Sequence, residues 1–167
     1  MPCACVPNIP RYPSNEEWGP LLWGIFHTLA EKSGSQTISM IQEDEKRTWP
    51  LFIRSIQLII PCPECREHFG KFVQEHPFET PKDYTLLRNY VRIWFYTLHE
   101  AVNARLGKPS FPFENLSSTY SDATRIKTLI MEMDKIQKIT IQAGVVTLGS
   151  WNNWLKHFKM LRAAFGI

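Results

Sequence analysis

An all-α fold is what this sequence predicts: a four-helix bundle over residues 14–113, with a helical extension over residues 114–167. Three observations carry it. Apolar residues recur three and four apart through most of the chain, the spacing of one helix face. Cap residues, prolines and glycines stand where those stretches begin and end. No stretch of useful length in the first 113 residues alternates with period two, as a half-buried strand does.

The first helix is announced by Ser14-Asn15-Glu16-Glu17, which has capping-box spacing, with Pro20 expected in its first turn. Trp18, Leu22, Ile25 and Leu29 carry it to Ser33-Gly34. A second helix runs to about Ile60 on Phe52, Ile56 and Ile59 or Ile60, and Pro61 stops it. Cys62-Pro63-Glu64-Cys65 opens a third, with Phe69 and Phe72 or Val73 as packing residues and His76-Pro77 as its end. Thr80-Pro81-Lys82-Asp83 reads as the start of the fourth: a cap, a proline at the first position and an acid in the first turn. Leu87, Val91, Trp94, Leu98 and Val102 form its apolar line, and Gly107 and Pro109 end it.

Past Pro112 the character changes. Residues 117–167 carry seven Lys or Arg against three acids. Ile126, Leu129, Ile130, Met133 and Ile136 mark one helix. A segment from Gly144 to Gly149, expected to be flexible, leads to another with Trp151, Trp154, Leu155, Phe158, Leu161 and Phe165 on one side. Lys156, Lys159 and Arg162 decorate the opposite side. Packing onto the bundle or a second subunit, contact with a membrane surface, and closure of a ligand pocket by Trp151 or Trp154 are all open to this amphipathic helix.

Composition narrows the class. At 44% hydrophobic and 21% charged, the chain is globular, and 167 residues suffice for one core. A net charge of +3 does not call for nucleic acid, and no apolar run approaches the length of a bilayer span. Residues 1–13 hold four prolines and no apolar stretch, so they read as a partly extended arm rather than a secretory signal peptide. A cytoplasmic, reducing location is the expectation.

In such a compartment structural disulfides are unusual, which tilts Cys3, Cys5, Cys62 and Cys65 towards chemistry. With Pro63 as the first helical residue, Cys62 is the N-cap and Cys65 lies one turn in. Both sulfurs then face free N–H groups and the positive helix end, which favours thiolate. Half a zinc site is the alternative, although no second C-x-x-C or Cys-His pair follows at finger spacing. Gly19, Trp23 and His27 stand four apart, in one file along the first helix. That file suits a planar heteroaromatic ligand; core packing around one satisfied histidine is the plainer reading. His99 and Asn103 share a face of the fourth helix, with Leu106 and Lys108 beyond. They need partners, either a ligand or a polar network.

Three segments resemble one family, in its order. Trp18-Gly19-Pro20-Leu21-Leu22-Trp23-Gly24-Ile25-Phe26-His27 resembles the G-x-x-x-W-x-x-x-H helix of Erv/ALR sulfhydryl oxidases. Pro61-Cys62-Pro63-Glu64-Cys65, with His76-Pro77 after it, resembles their P-C-x-x-C active site. His99 to Pro109 resembles their H-N-x-V-N-x-x-L-x-K-P flavin helix. The resemblance covers roughly residues 15–113. It implies a four-helix bundle holding FAD, with Gly19, Pro20, Trp23, His27, His99, Val102, Asn103, Leu106 and Lys108 at the cofactor. Cys65 would neighbour the flavin and Cys62 would exchange disulfides with protein dithiols, a thioredoxin-like carrier among them. Oxygen would take the electrons, giving hydrogen peroxide, and the enzyme would be a homodimer.

The departures are specific. Glu100 stands where the family has Asn, and Ile60 where it has an aromatic residue. Tyr96 and Phe113 occupy the positions of a structural disulfide in cellular members, so an aromatic contact is expected there. The reduced cysteine set, the Trp-Gly start and the Trp-containing tail look more like members encoded by large cytoplasmic DNA viruses, implying host cytoplasm or virion. Cys3 and Cys5, on the arm, resemble a counterpart of the family's mobile shuttle pair. The rival is a helical interaction module in which Cys3, Cys5, Cys62 and Cys65 hold zinc.

Overall fold

A computed structural model describes residues 11–167. Those residues form seven α-helices and no strand: α1 Asn15–Lys32, α2 Ser39–Ile56, α3 Pro63–Glu75, α4 Leu87–Arg105, α5 Leu116–Tyr120, α6 Ile126–Gln142 and α7 Leu148–Phe165. The all-α expectation holds.

Helix α1 starts where its cap predicts, with the Glu17 carboxylate accepting from the Ser14 N–H at 2.6 Å. Pro20, however, lies in the second turn rather than the first, because the helix already begins at Asn15. Its missing N–H leaves the Glu16 carbonyl without a helical partner. The chain leaves α1 through Gly34 at φ +67°, where an added Cβ would sit 2.9 Å from the Arg88 backbone nitrogen. Glycine is required there both by backbone shape and by space.

Helix α2 ends at Ile56 and tightens into a 3₁₀ turn, Gln57–Ile59, ahead of Pro61. Helix α4 begins later than expected. Pro81 is not its first residue; Asp83 instead caps a 3₁₀ turn, Tyr84–Leu86, by accepting from the Thr85 N–H at 2.9 Å. The segment from Gly144 to Gly149 is a turn that gives way to helix at Leu148. Thr147 caps α7 through the Ser150 N–H at 3.0 Å, so Gly149 is already helical. The short α5 was not expected at all.

One core runs through the bundle and the extension. Trp49, Phe52, Phe95 and Trp154 are fully buried, and Phe52 meets Trp154 at 5.5 Å between ring centroids. Helix α6 lies along α1 and α7 along α2, so the apolar stripe of the extension packs onto the bundle within the chain. Tyr96 and Phe113 meet edge to face at 5.1 Å, as the substituted positions led one to expect, with the Arg92 guanidinium over Phe113. Two buried carboxylates lock the helices. Glu31 binds Arg88 and Arg92 of α4 and Ser117 of α5. Glu45 accepts from Ser33, Gly34, Trp49 and Tyr84. Each charge is thus satisfied by several donors, as burial demands.

Candidate functional site

The Cys62–Cys65 pair sits where α3 begins. Cys62 is the N-cap with extended backbone, Pro63 is the first helical residue, and the Cys65 N–H donates to Cys62 Sγ at 3.1 Å. The two cysteines form a disulfide, with Cα atoms 5.2 Å apart. Local sequence dictates this: proline fixes the helical φ at the first position, and the cysteine before it takes the cap. Gly70, two turns further along, admits the Gln57 side chain, whose Nε2 would lie 2.5 Å from an added Cβ. Asn15, at the head of α1, places its Nδ2 3.8 Å from Cys65 Sγ.

Beside the pair lies a cavity of about 760 Å³ between α1, α3 and α4. That volume is towards the upper end for ligand sites, which run from about 300 to 1,000 Å³. Gly19, Pro20 and Trp23 of α1 line it, as do His99, Val102 and Asn103 of α4 and Leu106 and Lys108 just beyond. Cys65 also lines it, whereas Cys62 does not. The three sequence segments therefore converge on one space.

His27 stands one layer back, 1% exposed, with its Nε2 2.9 Å from His99 Nδ1. A stack runs through this wall: Trp23 on His99 at 3.9 Å, His99 beside His27, and His27 on Tyr120 at 4.7 Å. Burial pushes the His27 imidazole down to about 3, with His99 and Arg92 adding to the effect. Burial likewise lowers His99 to about 4, against the opposing pull of Glu100. Both rings are neutral at pH 7, so one ring N–H donates to the other ring's lone pair.

Several lining residues escaped the sequence reading. Tyr120 arrives on the unexpected α5. Lys71, on α3, and Arg105, near the end of α4, bring cations to the cavity beside Lys108. Arg105 had a signal, three residues before Lys108 of the motif; Lys71 and Tyr120 had none. Glu100, the departure from the family pattern, accepts from Asn103 Nδ2 and the Phe111 N–H at 3.0 Å each and from the Ser110 hydroxyl. It ties the end of α4 to the segment that follows. Trp151 and Trp154 are buried against the bundle and do not line the cavity, so they do not close it.

Residues 20–121 match the Erv1 / Alr family, well over half of the chain. The chain belongs to that family. Among relatives, it is 25% identical over 107 residues to the FAD-linked sulfhydryl oxidase ERV1 of Oryza sativa subsp. japonica, covering 64% of this chain and 50% of that one. It is 27% identical over 121 residues to protein 088R of frog virus 3 (isolate Goorha), provisionally named a FAD-linked sulfhydryl oxidase, covering 71% of this chain and 75% of that one. Protein 347L of Invertebrate iridescent virus 6, named in the same provisional way, is 25% identical over 97 residues, 57% of this chain and 84% of its own. The chain thus spans half the length of the plant relative and most of the viral ones. No solved structure matches it significantly.

The family implies FAD, and the cavity's chemistry fits it. Flat side chains and aliphatic walls suit a heteroaromatic ring, and Lys71, Arg105 and Lys108 suit a diphosphate. The open space at Gly19, where an added Cβ meets nothing within 4 Å, leaves room against the α1 backbone. Trp18 lines the cavity with a buried Nε1 that has no partner among the described residues, a donor still to be satisfied. Cys3 and Cys5 lie outside the described residues. Cys62 and Cys65 are joined to each other, and no group of three metal-ligating side chains occurs among the described residues. No helix there is long and apolar enough to cross a membrane.

Proposed function

We propose that this chain is an FAD-dependent sulfhydryl oxidase that makes disulfides in protein dithiols. The observation that carries the reading is a disulfide at a helix N-terminus whose second sulfur opens into a cavity lined by both family helix motifs.

In this reading a substrate thiolate attacks Sγ of Cys62, forming a mixed disulfide and releasing Cys65 as thiolate. The substrate's second thiol then displaces Cys62, so the substrate leaves oxidised and the pair is left as a dithiol. Free N–H groups and the positive end of α3 favour the thiolate released at Cys65. FAD, when bound, supplies acceptance of the two electrons and their delivery to oxygen with formation of hydrogen peroxide. Gly19, Pro20, Trp23, His99, Val102, Asn103, Leu106 and Lys108 would hold it, and His27 would act by fixing the orientation of His99.

Cys3 and Cys5 complete the proposal as a shuttle. Tyr12 donates to the Pro61 carbonyl, next to Cys62, so residue 12 is anchored at the redox pair. Six residues lie between it and Cys5, so the two are seven steps apart, a span of up to about 25 Å when extended, enough to return to Cys62. A homodimer, a thioredoxin-like carrier and a cytoplasmic or virion location belong to the same reading, supported by the family and its viral members.

The absorption spectrum of purified protein, together with oxygen uptake on a small dithiol, tests it. Stoichiometric bound FAD and peroxide formation are expected. A colourless protein without uptake would overturn the reading, and loss of structure with a chelator would point to the zinc module.

A further inference from the structure

Three consecutive carbonyls lead into the redox pair, and three parts of the chain hold them. Ile59 O accepts from Gln137 Nε2 of α6 at 2.7 Å, fully inside the protein. Ile60 O accepts from the Arg66 guanidinium at 2.8 Å, and Pro61 O from the Tyr12 hydroxyl. The same Arg66 nitrogen also donates to Val145 O, in the link between α6 and α7, at 2.9 Å.

Gln137 is out of place by composition. It continues the buried line of Ile126, Met133 and Thr140, yet it is polar and 0% exposed. A buried amide is costly unless bonded. Thr140 Oγ1 donates to Gln137 Oε1 at 2.7 Å, which turns the amide so that its nitrogen meets Ile59. An apolar residue would satisfy the packing alone; this arrangement satisfies the turn before Cys62.

We propose that the C-terminal helices belong to the redox machinery: Gln137 and, through Arg66, Val145 brace the turn that places Cys62 against Cys65. The proposal rests on the oxidase reading for its purpose, though not for its test. Cys65 is fixed within the first turn of α3, whereas Cys62 is a cap residue outside the helix. Its place therefore depends on the turn that precedes it. Loosening that turn adds freedom mainly to the dithiol form, since the disulfide already tethers Cys62. The brace thus raises the effective concentration of one thiol for the other and favours the disulfide. Gln137 and Arg66 are positioning residues, and neither needs to touch substrate.

The test is the thiol–disulfide equilibrium of Cys62–Cys65 in glutathione buffers, measured on the full chain with Cys3→Ser and Cys5→Ser to isolate the pair. Gln137→Met keeps the volume and removes the bond; Arg66→Lys keeps the charge and loses the two-carbonyl grip. Each should shift the equilibrium about three- to tenfold towards dithiol, the worth of one hydrogen bond. The tenfold limit corresponds to about 30 mV. Met133→Ala, buried on the same helix but bonded to neither carbonyl, is the control for general loosening. Its equilibrium should stay at the parent value even though its melting temperature falls. An unchanged equilibrium in Gln137→Met, or an equal shift in Met133→Ala, would overturn the brace. If Gln137→Met is too unstable to purify, Thr140→Val, which frees the amide to turn away, must show the same shift or the proposal fails. Absence of flavin or of oxygen uptake would instead defeat the oxidase reading and leave this equilibrium measurable.

Discussion

Cys62 and Cys65 are three residues apart yet stand in different surroundings, and their variants should differ accordingly. Only Cys65 lines the cavity, while Cys62 caps the helix from outside it. With Cys62→Ser, Cys65 remains as a lone thiolate favoured by the helix end, and FAD-loaded protein should gain a long-wavelength thiolate-to-flavin absorption band at neutral pH. Cys65→Ser should lack the band, and both should abolish turnover of dithiols. Steady oxygen uptake by Cys62→Ser would contradict entry through Cys62. The buried histidines set a second residue-scale expectation, in stability. His27 falls to about 3 in the fold from an ordinary 6.5. Between those values the unfolded chain binds a proton that the folded chain refuses. Stability is therefore full above about pH 6.5 and declines as pH falls through that window, by up to about 1.4 kcal/mol per pH unit. His99 and His157 shift in the same direction, so the informative quantity is a difference. His27→Phe should flatten the pH 7-to-5 stability slope of the cofactor-free chain by about 1 kcal/mol per unit. Denaturant midpoints across that range measure it, and parallel slopes would rule out a neutral buried imidazole.

Helices begin and end where local chemistry decides, which is why some elements were legible in the sequence and others were not. The α3 start was readable to the residue, since Cys62-Pro63 is a cap followed by proline and needs no distant partner. The α4 start was not. Thr80-Pro81 has the same local appearance, but the Thr80 hydroxyl is turned to the Lys46 carbonyl of α2, and Asp83 makes the cap instead. Tertiary contact overrode a valid local signal. Helix α5 was invisible because five residues cannot display a helical period; Glu31 of α1 holds it through Ser117. In the site, residues four apart on α1 and α4 could be read as sharing faces, but the sequence could not say that His27 stands behind His99. Ring stacking decides that. The Tyr96–Phe113 pair offers an element-scale test, since it joins α4 to the turn before α5. A double-mutant cycle with Tyr96→Ala and Phe113→Ala should return a coupling of about 0.5–1.5 kcal/mol. Additive effects would mean that the rings merely lie near each other.

At the scale of the whole molecule, the family match and the fold end at different places. Every residue lining the cavity lies within residues 15–120, and the family match ends at residue 121. The core does not stop there. Trp154 stacks with Trp151 and Phe158 and packs on Phe52 of α2, while Phe165 reaches Trp49 and Leu129 presses against Gly24 of α1. Trp151, Trp154, Phe158 and Leu161 are each no more than 3% exposed. At about 2 kcal/mol for each such side chain, their burial is worth on the order of 8 kcal/mol before entropy is subtracted. That is comparable to the whole net stability of a typical domain, about 5–15 kcal/mol. Removing α6 and α7 also uncovers the α1 and α2 faces they shield and leaves the Ile59 carbonyl without Gln137. A chain truncated after residue 121 should therefore not persist as a folded monomer, although it keeps every motif residue and the redox pair. Helical content by circular dichroism, bound flavin, and mass by sedimentation measure the outcome. Collapse into aggregate, or association that covers α1 and α2 with a second copy, fits the packing. A monomeric, flavin-loaded fragment with the parent's melting temperature would show that the bundle is complete without its extension, and that α6 and α7 only lean on a domain that folds alone.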